Sequence, residues 1–395
     1  MNTLSRRRFL SALGTGLGSL PLITIPEFVA AQRRTLPHGK TLVLIELAGG
    51  NDGLNTVIPI TDTAYRGLRP EIGIATADGL RLDDDTALHG AMRACADLWE
   101  EGALRIVEGV GYPNPNRSHF RSIEIWNAGQ GADSLARDGW IASAFADGRA
   151  PQKADVSGLV LGGEMGPLSG EGRFSAMRDE DVFLETIENL PGMRHAIRPN
   201  EVKSPLEHVL RTYESAQVTG DLIVRKLERS AARRFDFPRS ELGSQLRTAA
   251  RLLDAGVDVP VLKVVQGGYD THDNQPDEHA FLLGDLSASL GAFADALRQI
   301  GLWDDVTIVT YSEFGRTARE NGSYGTDHGT AAPVFVAGGH VAGGFGGRRV
   351  ALDRLVDDDL VHTTDYRHLY AGLLHDLWGI SSPEASQAIR LHRVD

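Results

Sequence analysis

Two runs rich in β-branched apolar residues, 259–265 and 306–310, each break off into a short polar cluster. Runs of that length without polar alternation read as strands buried on both faces, and such strands belong to parallel sheets covered by helices. The chain is thereby constrained to an α/β architecture. The clusters are Gly-Gly-Tyr-Asp-Thr-His at 267–272 and Tyr-Ser-Glu-Phe-Gly-Arg at 311–316, with a third, Gly-Thr-Asp-His-Gly, at 325–329. In open α/β sheets ligands bind at strand carboxyl ends, because the loops leaving the strands converge there. Asp270, His272, Glu313, Asp327 and His328 are therefore candidates for one site. Carboxylates mixed with imidazoles point to a divalent metal: imidazole favours Zn, Mn or Fe, and the number of carboxylates leaves Ca and Mg open. Taken singly, each residue also fits a turn or a helix cap, and Asp327 with His328 fits a polar turn between Gly325 and Gly329. Asp270 and His272, spaced i and i+2, share one side of an extended segment. The combination of three clusters carries the site reading.

The amino terminus holds a second signal. Ser-Arg-Arg-Arg-Phe-Leu at 5–10 precedes a moderately apolar stretch to Ala31 with no acid before Glu27. This reads as a twin-arginine export signal, residues 1–31, cleaved near Ala30 or Ala31. Its partner is the twin-arginine translocase, and the destination is the periplasm or the exterior. Three glycines and two prolines between Leu13 and Pro26 argue against a stable helix. Gly14, Gly16 and Gly18 do not form a dinucleotide loop, since no strand precedes them and no βαβ unit follows. The remainder, 32–395, is expected to be one α/β domain without a further run of membrane-spanning length. The formal charge of −13 becomes −15 when three arginines and one glutamate of the signal are removed, which argues against nucleic acid as a partner. The single cysteine, Cys95, excludes an internal disulfide and sits in a helical stripe as a small core residue.

Along the chain, 41–47 reads as the first strand, broken at Ala-Gly-Gly-Asn-Asp-Gly, 48–53, which exposes Asn51 and Asp52 at its carboxyl end and adds Asp52 to the candidate ligands. A helix is expected over 88–101, a strand over 104–110 and a helix over 118–127. Ser118 at that helix start is either an N-cap or a nucleophile, with His119 beside it and Arg117 as an anion-binding partner. Residues 180–256 read as a largely helical insertion, broken near Pro238. Further helices are expected over 276–300 and 364–378, the last capped by Thr364 or Asp365.

Taken together, Glu46 to Asn55, Arg117-Ser-His-Phe120, Asp270-Thr-His272, Ser312 to Thr317 and Gly325 to Gly329 resemble the exported family called domain of unknown function 1501, from the signal to about residue 375. That family is similar in organisation to the alkaline phosphatase and sulfatase superfamily. The resemblance implies a three-layer fold, a mainly parallel sheet with helices on both faces, and one or two divalent metals at the strand ends. It also implies hydrolysis of a phosphate or sulfate ester, of an anionic small molecule or a polysaccharide. On it, Asp52 would be the first-strand acid, Ser118 the nucleophile, Asp270 and His272 the acid and imidazole of one metal, Glu313 the next strand-end acid and His328 the late histidine. Arg117 or Asn51 would hold the anion, and Arg316 is a further substrate-binding candidate. Two positions depart from the pattern: Phe314 stands where the superfamily usually has an imidazole, and Pro113 stands where formylglycine would form. The alternative is an exported binding or assembly protein that keeps the fold without turnover. A redox role is disfavoured by the lack of a cysteine cluster or haem motif.

Overall fold

Strand β1 (Thr41–Leu47) shows why the sheet is covered twice. Leu42 and Leu44 enter one apolar cluster with Trp126, Tyr311 and Leu373, whereas Val43, Ile45 and Leu47 enter another with Leu246, Leu286 and Phe293. Successive side chains of a strand point to opposite faces, so a strand apolar throughout needs a packed layer on each side. The helices Arg93–Glu100, Glu241–Asp254 and Gln275–Ile300 supply one layer, and His119–Ala128, Trp140–Phe145 and Tyr366–Trp378 supply the other. This computed structural model describes residues 36, 39–151, 153–177, 219–230 and 233–393. The expected export signal, 1–31, and residues 180–218 of the expected insertion lie outside them; residues 219–229 and Glu241–Asp254 are helical.

Among the described residues the main sheet has nine strands. Its order is β11 (Gly344–Gly347), β5 (Leu104–Gly111), β10 (Ala332–Ala337), β9 (Val306–Tyr311), β1, β8 (Val261–Gln266), β6 (Gly158–Val160) and β7 (Phe174–Ala176), with β14 (Thr364–Asp365) also paired to β5. Only β10 runs antiparallel to its neighbours. The expected three-layer, mainly parallel α/β architecture is therefore present. Lys263 interrupts the apolar run of β8, and its ammonium lies 2.7 Å from Glu46 Oε2, which compensates a fully buried charge. Two smaller sheets flank the main one: β2 (Val57–Pro59), β4 (Thr86–Leu88) and β3 (Leu80–Arg81), and the ribbon β12 (Leu355–Val356) with β13 (Asp359–Leu360).

One expectation is corrected. The helix read from residue 88 starts only at Arg93, because Leu88 pairs with Val57 in β4 and His89 Nδ1 then accepts from the Ala91 N–H in a turn. The 26-residue helix Gln275–Ile300 is long and apolar enough to cross a membrane, with a window of mean hydropathy 1.3. Its apolar residues Leu283, Leu286, Leu290, Phe293 and Leu297 are instead packed into the core.

Candidate metal centre

Three strand ends and one helix start deliver the site. After β1, the chain turns at Gly49 and Gly50, both at positive φ; a Cβ on Gly49 would lie 2.4 Å from the Asp270 nitrogen, and one on Gly50 2.5 Å from the Phe314 ring. Glycine is needed there because the loops after β1, β8 and β9 approach each other backbone to side chain. Asp270 and His272 follow β8, Glu313 follows β9, and His328 is brought back beside Arg316 by an antiparallel bridge. His119 opens the helix His119–Ala128, whose Ile125 and Trp126 anchor it in the core.

His272 Nε2 lies 2.9 Å from His328 Nε2, and Asp270 Oδ1 lies 3.0 Å from the first and 3.1 Å from the second. His119 Nε2 is buried without a hydrogen-bond partner, 3.4 Å from Asp270 Oδ2. Donor atoms of His119, Asp270 and His328 all fall within 4.8 Å of one another. The opposite nitrogen of every ring is held: His119 Nδ1 by Glu313 Oε1 at 2.9 Å, His272 Nδ1 by Asp327 Oδ1 at 3.2 Å, and His328 Nδ1 by the Arg117 carbonyl at 2.8 Å. A carbonyl can only accept and a carboxylate accepts when ionised, so these contacts put the proton of each neutral ring on Nδ1. The Nε2 lone pairs then face one another across less than 3 Å in the case of His272 and His328. A cation between them removes that repulsion, and the pattern of one nitrogen held and one offered is that of metal-ligating histidine. The donor set fits a metal.

The electrostatics agree. Burial would raise the Asp270 carboxyl, but the hydrogen bond and charge of Arg316, with the imidazoles of His328 and His119 alongside, outweigh it and bring it down to about 2. Asp327 is also lowered: burial opposes the shift, and Asn321 and His272 produce it. Both acids are ionised at neutral pH, ready to accept or to ligate.

Of the residues expected at the site, Asp270, His272 and His328 converge, and His119, read as a neighbour of the nucleophile, joins them as a donor. Glu313 and Asp327 stand one contact back, holding rings; Glu313 also accepts from the Gly49 N–H at 2.8 Å. Asp52 does not point to this cluster. It is 1% exposed and bound by Arg69 Nη1 at 2.6 Å and Nη2 at 3.0 Å, because a buried carboxylate at that depth takes the cation the fold supplies. Asn51 is likewise buried, its Oδ1 beside Thr56 Oγ1 and His279 Nε2, so it does not face the metal donors. Arg316, read as a substrate contact, is 1% exposed; its guanidinium is spent on the carbonyls of Gly49, Gly50, Tyr269 and Thr326 and on Asp270. It tethers the three loops rather than meeting a ligand.

Ser118 is exposed at the N-cap position, and its side chain makes no capping hydrogen bond. The Arg117 guanidinium contacts Asp359, a buried acid that the sequence reading passed over. Burial, with Asp357 and Asp358 nearby, raises Asp359 to about 6 in spite of Arg117. Phe314 is buried with its ring 4.9 Å from that of His119 and 4.7 Å from that of His328, so it forms an apolar wall on the donor cluster. Asn321, also missed, ties the His272 carbonyl (2.8 Å) to Asp327 Oδ1 (3.3 Å); a loop amide beside Gly322 carries no sequence signal of its partners.

Among solved structures, the chain is similar to Ps i-CgsB, with 12% identity, 88% of this chain and 74% of that chain covered, and a TM-score of 0.41. It is similar to a protein in the alkaline phosphatase superfamily from Vibrio parahaemolyticus at 13%, 91%, 72% and 0.38, and to the lipoteichoic acid synthase LtaP from Listeria monocytogenes at 10%, 87%, 73% and 0.39. No curated protein matches it. The family model described as "Protein of unknown function (DUF1501)" matches residues 201–380, a span that includes Asp270, His272, Glu313, Asp327 and His328 but not Asp52 or Arg117 to His119. Over those residues the chain matches the model of the DUF1501 family, the family its motifs resemble.

Proposed function

We propose that this chain binds one divalent metal ion through His119, Asp270, His272 and His328 and hydrolyses phosphate or sulfate esters with Ser118 as nucleophile. The observation that carries the reading is the convergence of three imidazole Nε2 atoms on one carboxylate while every Nδ1 is held from behind. Three imidazoles and one carboxylate favour Zn, Mn or Fe over Ca or Mg. Phe314 occupies the flank where a second ligand set would need an imidazole, which supports one ion rather than two.

A bound divalent ion supplies polarisation of an ester oxygen. The remaining chemistry belongs to the chain. Ser118 offers a hydroxyl not spent on capping, at a helix start whose partial positive charge favours an oxyanion. Its Oγ forms the bond to phosphorus or sulfur as the bond to the leaving alcohol oxygen breaks, and the serine proton ends on that alcohol. Water then cleaves the serine ester and restores the hydroxyl. Arg117, positioned by Asp359, is the cation for the transferred group. The Arg6-Arg7-Arg8 segment supports export by the twin-arginine translocase to the periplasm or beyond, where anionic small-molecule or polysaccharide esters are the matching substrates.

A second reading, a metal-holding protein without turnover, is favoured by one observation: Arg117 is already engaged by Asp359. Elemental mass spectrometry of the wild type beside His272→Ala and His328→Ala, followed by a screen of phosphate and sulfate esters with Ser118→Ala, separates the two. Metal lost from both histidine variants, with hydrolysis abolished in Ser118→Ala at unchanged metal content, supports the hydrolase. Metal without hydrolysis supports the second reading, and a metal-free wild type after reconstitution overturns both.

A further inference from the structure

We propose that Gln275 is a clasp that fixes the separation of the two ligand-bearing loops, 270–272 and 326–328, and so sets the metal affinity of the site without touching the metal. The inference rests on the metal reading above. Gln275 is the first residue of the helix Gln275–Ile300 and is 0% exposed. Its Oε1 lies 3.1 Å from Thr271 Oγ1 and 2.6 Å from Thr326 Oγ1 and accepts from both hydroxyls. Thr271 stands between Asp270 and His272; Thr326 is two residues before His328. One carbonyl oxygen, with two lone pairs, is thus shared between the two halves of the donor set.

The orientation of that amide is dictated from below. Gln275 Nε2 donates to Asp52 Oδ2 at 2.5 Å, and Asp52 is held by Arg69, which also donates to the carbonyls of Ala318 and Thr317 at 2.7 and 2.9 Å. Burial would raise Asp52, but the Arg69 charge and hydrogen bonds bring it to about 2, so it is ionised and only accepts. The amide nitrogen must face it, which leaves the oxygen for the two threonines. Main-chain bonds add a second tie, from the Gln275 N–H to the Tyr324 carbonyl at 2.9 Å and from the Thr326 N–H to the Thr271 carbonyl at 3.3 Å. Asp52, expected as a ligand, therefore reaches the site through the clasp. Metal–donor distances tolerate only about 0.2 Å, so a small slip between the loops lowers affinity. Gln275 is a positioning residue.

The test uses the full chain and Co(II) as the probe ion, titrated by its visible absorption. Gln275→Leu keeps the volume and removes the three hydrogen bonds. The expected result is roughly 10- to 100-fold weaker Co(II) binding, the usual cost of losing a group that orients a ligand, with an altered band shape and an unchanged far-ultraviolet circular dichroism spectrum. Gln245→Leu is the control: this buried amide bonds the main chain of Val265 at 3.0 and 2.8 Å, away from both loops, and its loss should lower stability at wild-type affinity. Wild-type affinity and band shape in Gln275→Leu would overturn the clasp, even if its melting temperature falls. If Gln275→Leu does not fold, Thr271→Val and Thr326→Val decide: each should weaken binding by less than the full factor, and wild-type binding in both overturns the proposal. A wild type that binds no Co(II) overturns the metal reading and the clasp with it.

Discussion

Replacing Asp52 by asparagine separates the role expected of it in sequence from the role it has in the fold. The carboxylate and the Arg69 guanidinium are both fully buried, so D52N leaves a cation without its counter-charge. Removing one partner of a buried pair costs about 3–5 kcal/mol. The titration of the same group gives an independent scale: lowering from 3.8 to about 2 corresponds to roughly 2 kcal/mol of stability at neutral pH. Because the folded-state value is depressed, this contribution is fully present above pH 3.8 and is lost as pH falls through about 2. Urea unfolding of metal-free protein at pH 7, wild type against D52N, should show a loss of at least 2 kcal/mol. The gap should close as the pH approaches 2. A double-mutant cycle with Arg69→Met should return a coupling above about 1.5 kcal/mol, in the upper part of the roughly 0.5–3 kcal/mol found for residues in one network. A loss below about 1 kcal/mol, together with metal binding abolished outright, would refute this account and make Asp52 a ligand after all.

Three further outcomes are expected. Glu313→Gln replaces the anion behind His119 Nδ1 with a neutral amide, and metal affinity measured by chelator competition should fall about 10- to 100-fold while the fold persists. Elemental analysis of the loaded wild type should give one metal per chain, since the Phe314 ring fills the flanking position; two equivalents would contradict that packing. Asp359 is raised to about 6, so between its unfolded value of 3.8 and about 6 the folded chain binds more protons than the unfolded one and stability falls as pH rises. Asp359→Asn lacks that dependence, and its stability relative to wild type, followed by thermal melts, should improve from about pH 4 to about pH 6 and level off above it.

The sheet and half of the site could be read from residue order alone, for a specific reason. Strands β1, β8 and β9 are short apolar runs ended by glycine or polar clusters, so both their existence and their carboxyl ends are marked, and Asp270, His272 and His328 follow from where those ends meet. Asp52 has the same marking but a different fate, because the partner that captures it, Arg69, lies seventeen positions on in a segment with no motif. Arg316 is a substrate-binding candidate in sequence for the same reason: a cation in a polar cluster reads as a ligand contact until the carbonyls around it are known. His119 was seen beside Ser118, yet its role as a donor depends on Glu313, 194 residues away. Gln275 was invisible, since a single amide at a helix start has no pattern beyond its neighbours.

The wide spacing of the donors along the chain has a consequence for biogenesis. His119 belongs to a helix packed on β5 and β9, whereas Asp270, His272 and His328 arrive with β8 and the segment after β9, so the four meet only when strands far apart in order have been laid side by side. Contacts across such separations are closed late, after the loop entropy between them has been overcome. A partly assembled chain offers an ion three donors at most. On the proposed metal reading, tight loading is then a mark of a finished sheet: an ion held by all four donors is a record that these strands have been laid side by side.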